Sequence, residues 1–235
     1  MKKGGHLILN GKKLIVSGCS YTDKNFTSIF HPELDTSWTK WPELLADKLE
    51  MECVNLGYCG SGNDYIYSSL LDCIVNTPKE EIGLVIAGWT RAVRRSYTEN
   101  NIRFNLRWDT HGDMHYFILR SIRYYYSLQT ICEKLNIPYK QIHILDPYES
   151  ALGEERRNKP RNYTSKPDAI KTFMNNSYFN KIDDTHFIGW PVEPKLGGFS
   201  AWDKLEEKHF ISELDRHPNA EGQQIIMETI YDRLG

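Results

Sequence analysis

Short apolar runs alternate with segments of helical periodicity along most of the chain. Runs of four or five residues rich in Leu, Ile and Val predict buried strands at 14–17, 52–56, 83–87 and 141–145. Apolar side chains that recur every three or four residues predict helices at about 41–49, from 63 past 74, at 114–135 and at about 220–234. Strands that alternate with helices in this way indicate a parallel sheet with helices on both faces.

A ligand site is expected at the carboxyl ends of these strands, because parallel α/β sheets bind their ligands beyond that edge. The stretch 153–206 does not follow the alternation, since it is rich in Lys, Arg, Asn, Pro and Gly and has weak periodicity. We interpret it as an irregular insertion that borders the site. The length of 235 residues fits a single α/β domain, 1–235, that contains this insertion.

Charge and composition restrict the function classes. The 29 basic and 31 acidic residues leave a net charge of -2, which argues against a nucleic-acid partner because such proteins usually carry a basic excess. No apolar run reaches the roughly 18 residues that span a bilayer, and the first residues lack the apolar core of a signal peptide. We therefore expect no membrane partner and a cytoplasmic location. Five cysteines without a CxxC pair predict neither a disulfide framework nor a metal site.

The first candidate for chemistry is Ser20, in the segment Gly18-Cys19-Ser20 that directly follows the first predicted strand. A serine on a tight turn at this edge of the sheet is open to a substrate and suits a nucleophile. The alternative is that Ser20 only caps the next helix, as serine often does.

The second candidate is the pair Asp215 and His217, which precedes Pro218 and the last predicted helix. A residue before proline is pushed toward an extended backbone, and residues two apart in an extended segment point to the same side. Asp215 can therefore reach and orient the imidazole of His217, and Asn219 can cap the helix. A histidine at a helix N-terminus tends to stay neutral, which suits a general base. The alternative is an ordinary surface pair.

Two further loops follow the second and third predicted strands. The first contains Gly60 and ends at Asn63, and its glycines let a backbone N–H approach a ligand closely. Such a donor can stabilise an oxyanion. The second is Gly88-Trp89-Thr90-Arg91, in which Thr90 offers a hydroxyl and Arg91 a charge. In isolation, each is equally explained as a plain connection between elements.

Taken in order, these segments resemble the blocks of the SGNH (GDSL-like) hydrolase superfamily, especially its divergent phage and bacterial members with a Gly-Cys-Ser first block. The family's Gly-Asp-Ser nucleophile block matches Ser20, and its Asn-x-Gly-x-x-Gly oxyanion block matches 55–60 with Gly60 as the donor. The Asp and His of the family's last block match Asp215 and His217. The four blocks span most of the chain and leave out 153–206.

The chain departs from the family pattern at three places. The third block, Gly-x-Asn-Asp in the family, has Thr90 where an asparagine donates a side-chain N–H. The last block is Asp-x-His instead of Asp-x-x-His, so Asp215 approaches His217 from a different position. The family's Asp before the nucleophile is replaced by Cys19.

The resemblance implies a three-layer α/β/α, flavodoxin-like fold with a parallel sheet of about five strands. It also implies a serine esterase with the triad Ser20, His217 and Asp215, an oxyanion hole formed by Ser20, Gly60 and Thr90, and no cofactor or metal. The implied substrate is a small-molecule or glycan ester, such as an O-acetyl group or a lipid-like ester. We expect substrate contacts from Asn63, Trp89, Arg91 and Trp190; Trp202, like the other two tryptophans, favours a flat-faced substrate such as a sugar.

Two alternatives remain open from the sequence. The chain is equally compatible with a catalytically weak binding module of the same fold, for example a virion component if a phage encodes it. A thiol enzyme that uses Cys19 is the other alternative. The acyl group, the alcohol and the oligomeric state are not predicted.

Overall fold

The computed structural model describes residues 12–107, 109, 111–148 and 166–234. Within these ranges the strands in chain order are β1 (Lys13–Ser17), β2 (Glu52–Asn55), β3 (Ile82–Trp89), β4 (Arg95–Glu99), β5 (Ile102–Leu106), β6 (Tyr139–His143) and β7 (Phe187–Ile188). Five of them form the central sheet in the order β2-β1-β3-β6-β7, and every neighbouring pair is parallel. This is the strand order of the flavodoxin-like fold. The other two strands form an antiparallel hairpin.

Helices cover both faces of the sheet. They are α1 (Trp41–Lys48), α2 (Asn63–Asn76), α3 (Met114–Leu135), α4 (Lys166–Met174) and α5 (Ala220–Tyr231). Helices α1 and α5 contribute to one hydrophobic cluster and α2, α3 and α4 to the other. The result is a three-layer α/β/α arrangement, which confirms the predicted fold class. No helix in the described ranges is long and apolar enough to cross a membrane.

The alternation of side chains along the central strands explains the two clusters. In β3, Val85 and Ala87 face the α2–α3 side, whereas Leu84 and Ile86 face the α1–α5 side. All eight residues of β3 are buried. A strand covered on both faces needs apolar residues at every position, and this is why the run at 83–87 is the clearest strand in the sequence.

Several predicted boundaries differ from the structure. The strand predicted at 83–87 extends from Ile82 to Trp89. The strand predicted at 141–145 lies two residues earlier, because pairing with β3 starts at Tyr139, directly after Pro138. The last helix, predicted to run to 234, ends at Tyr231. Apolar side chains beyond the last two elements still pack in the core, Ile144 and Leu145 fully and Leu234 in part, so hydrophobicity does not mark these boundaries.

The hairpin of β4 and β5 is absent from the sequence prediction. Its turn is Asn100-Asn101, and both residues have positive φ, 51° and 64°. Asparagine tolerates this conformation, and two such residues are typical of a tight hairpin turn. Strand β4 is mostly polar, but β5 alternates Ile102, Phe104 and Leu106 with polar residues, a short strand pattern that the prediction overlooked.

The stretch 153–206 is less irregular than predicted. Residues 153–165 lie outside the described residues, but the remainder contains α4 and β7, and β7 is an edge strand of the central sheet. Phe173 and Phe187 from this stretch are buried in the same cluster as α3. The described part is therefore a component of the core, and its Lys- and Asn-rich composition reflects its solvent-facing positions.

Candidate functional site

Ser20, His217 and Asp215 form a continuous hydrogen-bonded chain. Ser20 Oγ lies 2.9 Å from His217 Nε2. The opposite ring nitrogen, Nδ1, is hydrogen-bonded to Asp215 Oδ1. The structure thus brings together a hydroxyl and an imidazole that are 197 positions apart in the sequence. The short Asp-x-His spacing is sufficient because Asp215 Oδ1 also accepts a hydrogen bond from the His217 amide at 3.2 Å, which fixes the carboxylate beside the ring.

A tight turn after β1 presents Ser20. The amides of Thr22 and Asp23 both donate to the carbonyl of Cys19, at 2.9 and 3.1 Å. A side chain at Gly18 would meet Thr22 Oγ1 at 2.1 Å, so the turn requires glycine there. Cys19 is fully buried in the α1–α5 cluster, while Ser20 lines the cavity described below. This burial separates the Cys19 thiol from the cavity and argues against the thiol alternative.

The segment that carries His217 is held against the same turn. The hydroxyl of Tyr21 donates to the carbonyl of Arg216, and the ring of Phe26 packs on the imidazole with a centroid separation of 4.2 Å. Asn219 caps α5 as predicted, since its side chain accepts from the Gly222 amide at 3.0 Å. The imidazole therefore sits between the β1 turn and the start of the last helix.

Asp215 is 1% exposed and remains ionised. Burial alone opposes ionisation. Hydrogen bonds from Ser28 and His217, together with the positive charge that His217 carries when it is protonated, nevertheless hold the pKa of Asp215 below its ordinary value. Ser28 Oγ donates to Oδ2, the oxygen that His217 does not use. Both carboxylate oxygens therefore have partners, so the buried charge is stabilised.

His217 is held in its neutral form. Burial lowers its pKa below the ordinary 6.5; Asp215 opposes this shift, and the positive charges of Arg94 and Arg107 add to it. Neutral imidazole can accept a proton from a serine hydroxyl, whereas imidazolium cannot. The environment of His217 therefore suits a general base at neutral pH.

The loop after β2 is joined to the β1 turn by several hydrogen bonds. Asn55 Nδ2 donates to the Thr22 carbonyl at 2.8 Å, and the Cys59 amide donates to Asp23 Oδ2 at 2.9 Å. These bonds place Gly60 at the cavity beside Ser20. Gly60 has a φ of +78°, a conformation that favours glycine.

Asn63 and Thr90 are bound to each other. The Thr90 amide donates to Asn63 Oδ1 at 2.9 Å, and Asn63 Nδ2 donates to the Thr90 carbonyl at 3.2 Å and to Ser121 Oγ at 3.1 Å. Both residues are almost fully buried. Asn63 therefore connects α2, α3 and the end of β3, and it does not line the cavity, contrary to its predicted contact with substrate.

Thr90 is fully buried and does not line the cavity. Its hydroxyl has no hydrogen-bond partner within the described part of the chain. An unpaired buried hydroxyl is unusual in a folded protein and calls for an explanation.

Two of the tryptophans expected at the site are elsewhere. Trp89 is fully buried, its indole N–H donates to Gln141 Oε1 at 2.9 Å, and its ring packs on Tyr125. Trp190 packs on aromatic rings of the α4 side, namely those of Phe173, Phe179 and Phe187. Both predictions of substrate contact are therefore wrong, because the hydrophobic core takes these side chains.

A cavity of about 470 Å³ opens beside Ser20 and His217. Of the residues predicted for substrate contact, Arg91 lines it, and so does Trp202. Arg94 and Arg107 also line it and were not predicted from the sequence. For Arg94 a signal was available, since the run 91–95 carries three arginines shortly after a predicted strand. Among the described residues, no cluster of three or more His, Cys, Asp or Glu could hold a metal ion.

Solved structures of similar fold include esterases. A psychrotrophic esterase from Pseudoalteromonas sp. is 14% identical, over 95% of this chain and 96% of its own, with a TM-score of 0.50. A catalytic mutant of an acetylxylan esterase from Geobacillus stearothermophilus is 14% identical, over 100% of this chain and 97% of its own, with a TM-score of 0.50. A G-D-S-L family protein from Desulfitobacterium hafniense DCB-2 covers 94% of this chain and 99% of its own at 14% identity, with a TM-score of 0.49.

No protein-family model and no curated protein matches the sequence. The likeness lies in the fold: five parallel strands in flavodoxin-like order between two layers of helices. The chain shares the three-layer α/β/α fold of these two esterases, which is the fold that its sequence blocks predicted.

The role of Asn63 can be tested by stability. We expect Asn63→Ala to lower the free energy of unfolding by roughly 2–4 kcal/mol, because it leaves the buried Thr90 amide and carbonyl without partners. Urea denaturation measures this change. Asn76→Ala is the control, since the Asn76 side chain is exposed and bonds only within α2; it should stay within about 0.5 kcal/mol of the parent. An Asn63→Ala protein of parental stability would refute the structural role.

Proposed function

We propose that the protein is a serine esterase that cleaves small acyl esters with Ser20 as the nucleophile. The observation that carries this proposal is the hydrogen-bonded chain from Ser20 through His217 to the buried carboxylate of Asp215. The chain borders a cavity, so a substrate carbonyl can reach the hydroxyl. Two proteins of similar fold are described as esterases, which agrees with this chemistry.

The reaction is acyl transfer to water in two steps. His217 Nε2 takes the proton from Ser20 as Oγ bonds to the ester carbonyl carbon, and it then gives this proton to the leaving alcohol when the carbon–oxygen bond breaks. Water attacks the acyl-serine with His217 again as base, which releases the acid and restores Ser20. Asp215 holds the ring tautomer and stabilises the imidazolium in both steps.

The proposed oxyanion hole consists of the backbone amides of Ser20 and Gly60. Both residues line the cavity, and within the described residues neither amide donates a hydrogen bond to the protein. Free amides that face a reacting carbonyl are the usual donors to a developing oxyanion. Thr90, which the sequence predicted as a third donor, is left out of this proposal because it is fully buried and does not line the cavity.

The substrate proposal is a small-molecule or glycan ester such as an O-acetyl group. A cavity of about 470 Å³ accommodates such a group with part of its alcohol. Aromatic contact at the cavity comes from Trp202, Tyr21 and Phe26, which offer flat apolar surface beside the imidazole. The mechanism requires no cofactor.

Removal of the nucleophile tests the proposal directly. We expect Ser20→Ala to lower ester hydrolysis by at least about 1,000-fold and to abolish labelling by a fluorophosphonate, with the melting temperature retained. The readouts are release of 4-nitrophenol from short acyl esters and mass spectrometry of the labelled peptide. Cys19→Ala is the matched control and should still be labelled. A folded wild-type protein that does not react would favour the binding-module alternative.

The pH dependence follows from the state of His217. Its pKa lies below 6.5, so the base is unprotonated at neutral pH and becomes protonated as the pH falls through that pKa. We expect kcat/KM for a neutral ester to be flat near neutrality and to fall tenfold per pH unit on the acid side, with a midpoint below 6.5. A midpoint above 7 would contradict the assigned environment.

The position of Thr90 is tested by one variant. Thr90→Val deletes the hydroxyl at nearly constant shape, and we expect kcat to stay close to that of the parent, because the side chain does not line the cavity. The melting temperature should not fall, because the hydroxyl makes no hydrogen bond to any described residue. A fall in kcat on the order of 10-fold or more would instead assign the hydroxyl to the oxyanion hole.

A further inference from the structure

Four arginines line the cavity beside Ser20 and His217, and three of them come from two neighbouring segments. Arg91 and Arg94 lie in the connection after β3, and Arg107 follows β5 at the base of the hairpin. Their charges act on other residues of the cavity: Arg94 and Arg107 lower the pKa of His217, and Arg91 and Arg94 oppose the rise that burial causes in the pKa of Tyr21. A positive field is therefore concentrated at the site of a chain whose net charge is -2.

The two carboxylates of the lining offset only part of the charge of its four arginines. Asp215 is engaged by Ser28 and His217. Glu213 is the other carboxylate in the lining, and it is exposed on the rim. The fourth arginine of the lining, Arg216, forms an ion pair at 2.7 Å with Glu207, which does not line the cavity.

Arg94 has a buried guanidinium nitrogen without a described acceptor. Its Nη1 is buried and has no hydrogen-bond partner within the described ranges. Nε of Arg120 is likewise buried and unpaired, but Arg120, like Arg95, lies within 3.5 Å of the buried carboxylate of Asp109, whereas Arg94 has no ion pair with a described carboxylate. A buried guanidinium nitrogen without an acceptor is costly, and an anionic ligand would supply the missing acceptor.

We propose that the ester cleaved at Ser20 carries a negatively charged group, a carboxylate or a phosphate, and that Arg94 binds this group together with Arg91 and Arg107. The inference rests on the proposed esterase function and narrows its substrate class. Guanidinium groups bind carboxylates and phosphates through paired hydrogen bonds, so they hold the anion in a defined orientation. The anion belongs either to the acid half of the ester or to its alcohol half.

Matched esters distinguish these sources. 4-Nitrophenyl hydrogen glutarate and its methyl ester differ by a charge on the acid half, and 3-acetoxybenzoate and its methyl ester differ by a charge on the alcohol half. We expect at least one anionic ester to exceed its neutral partner in kcat/KM by on the order of 10-fold or more, and high salt to reduce this ratio. If the anionic ester is cleaved no faster than its neutral partner in both pairs, while the neutral esters are cleaved through Ser20, the inference fails and the esterase function stands.

Arg94→Met removes the charge and keeps much of the side-chain length. The ratio of kcat/KM for the anionic ester to that for its neutral partner should fall on the order of 10-fold or more. Arg123→Met is the matched control, because Arg123 is an exposed residue of α3 that does not line the cavity, and its ratio should equal that of the parent. An unchanged ratio in Arg94→Met would remove Arg94 from the assignment.

A binding measurement tests the site independently of catalysis. Inorganic phosphate and glutarate, titrated into the Ser20→Ala protein, should raise the pKa of His217 as followed by NMR of its ring protons, because a bound anion offsets the arginine charges. The same titration of a Ser20→Ala protein that also carries Arg94→Met should give a smaller shift. If Ser20 proves unreactive but the anions still bind, the esterase function fails and the anion site stands. No shift with either anion would refute the site.

Discussion

The site depends on the parallel pairing of β1 with both β2 and β3. This pairing brings the carboxyl ends of three strands to one edge, so the segments after them meet although they lie far apart in the chain. The Cys59 amide can therefore bond to Asp23, and the Tyr58 amide to the carbonyl of Gly18. A shift of one residue in β1 would move its apolar side chains to the wrong face and would displace Ser20. Burial of the strands thus fixes the geometry of the catalytic turn.

The residues predicted most successfully from sequence are those whose position follows from local chain geometry. Ser20 follows a strand that the apolar run identifies, and Asp215 and His217 share one side of an extended segment ahead of a proline. Their contact across nearly the whole chain was inferred from the order of the blocks, not from either segment alone. The central strands could also be predicted from sequence, because a strand that is buried on both faces is apolar at every position.

The residues that sequence reasoning misplaced are those whose partners come from distant elements. Trp89 is the last residue of β3 and Asn63 the first of α2, which are positions that suit a ligand, but their partners Gln141, Thr90 and Ser121 turn them into the core. Nothing in the local sequence specifies those contacts. Arg107 was missed because it reaches the cavity only through the hairpin, and the short apolar alternation of β5 was not recognised as a strand.

The arginine charges in the cavity affect both which ester would bind and how basic His217 is. In the free protein, burial and the charges of Arg94 and Arg107 lower the pKa of His217 and keep its imidazole neutral; in the proposed reaction, the same charges oppose the imidazolium that forms when Ser20 gives up its proton. Asp215 stabilises that cation from the buried side of the ring. In the proposed complex, an anion held by Arg94 offsets the arginine charges and makes the imidazole more basic once the substrate is bound. A neutral ester leaves the charges uncompensated, so selectivity would be expressed in the proton-transfer step as well as in binding.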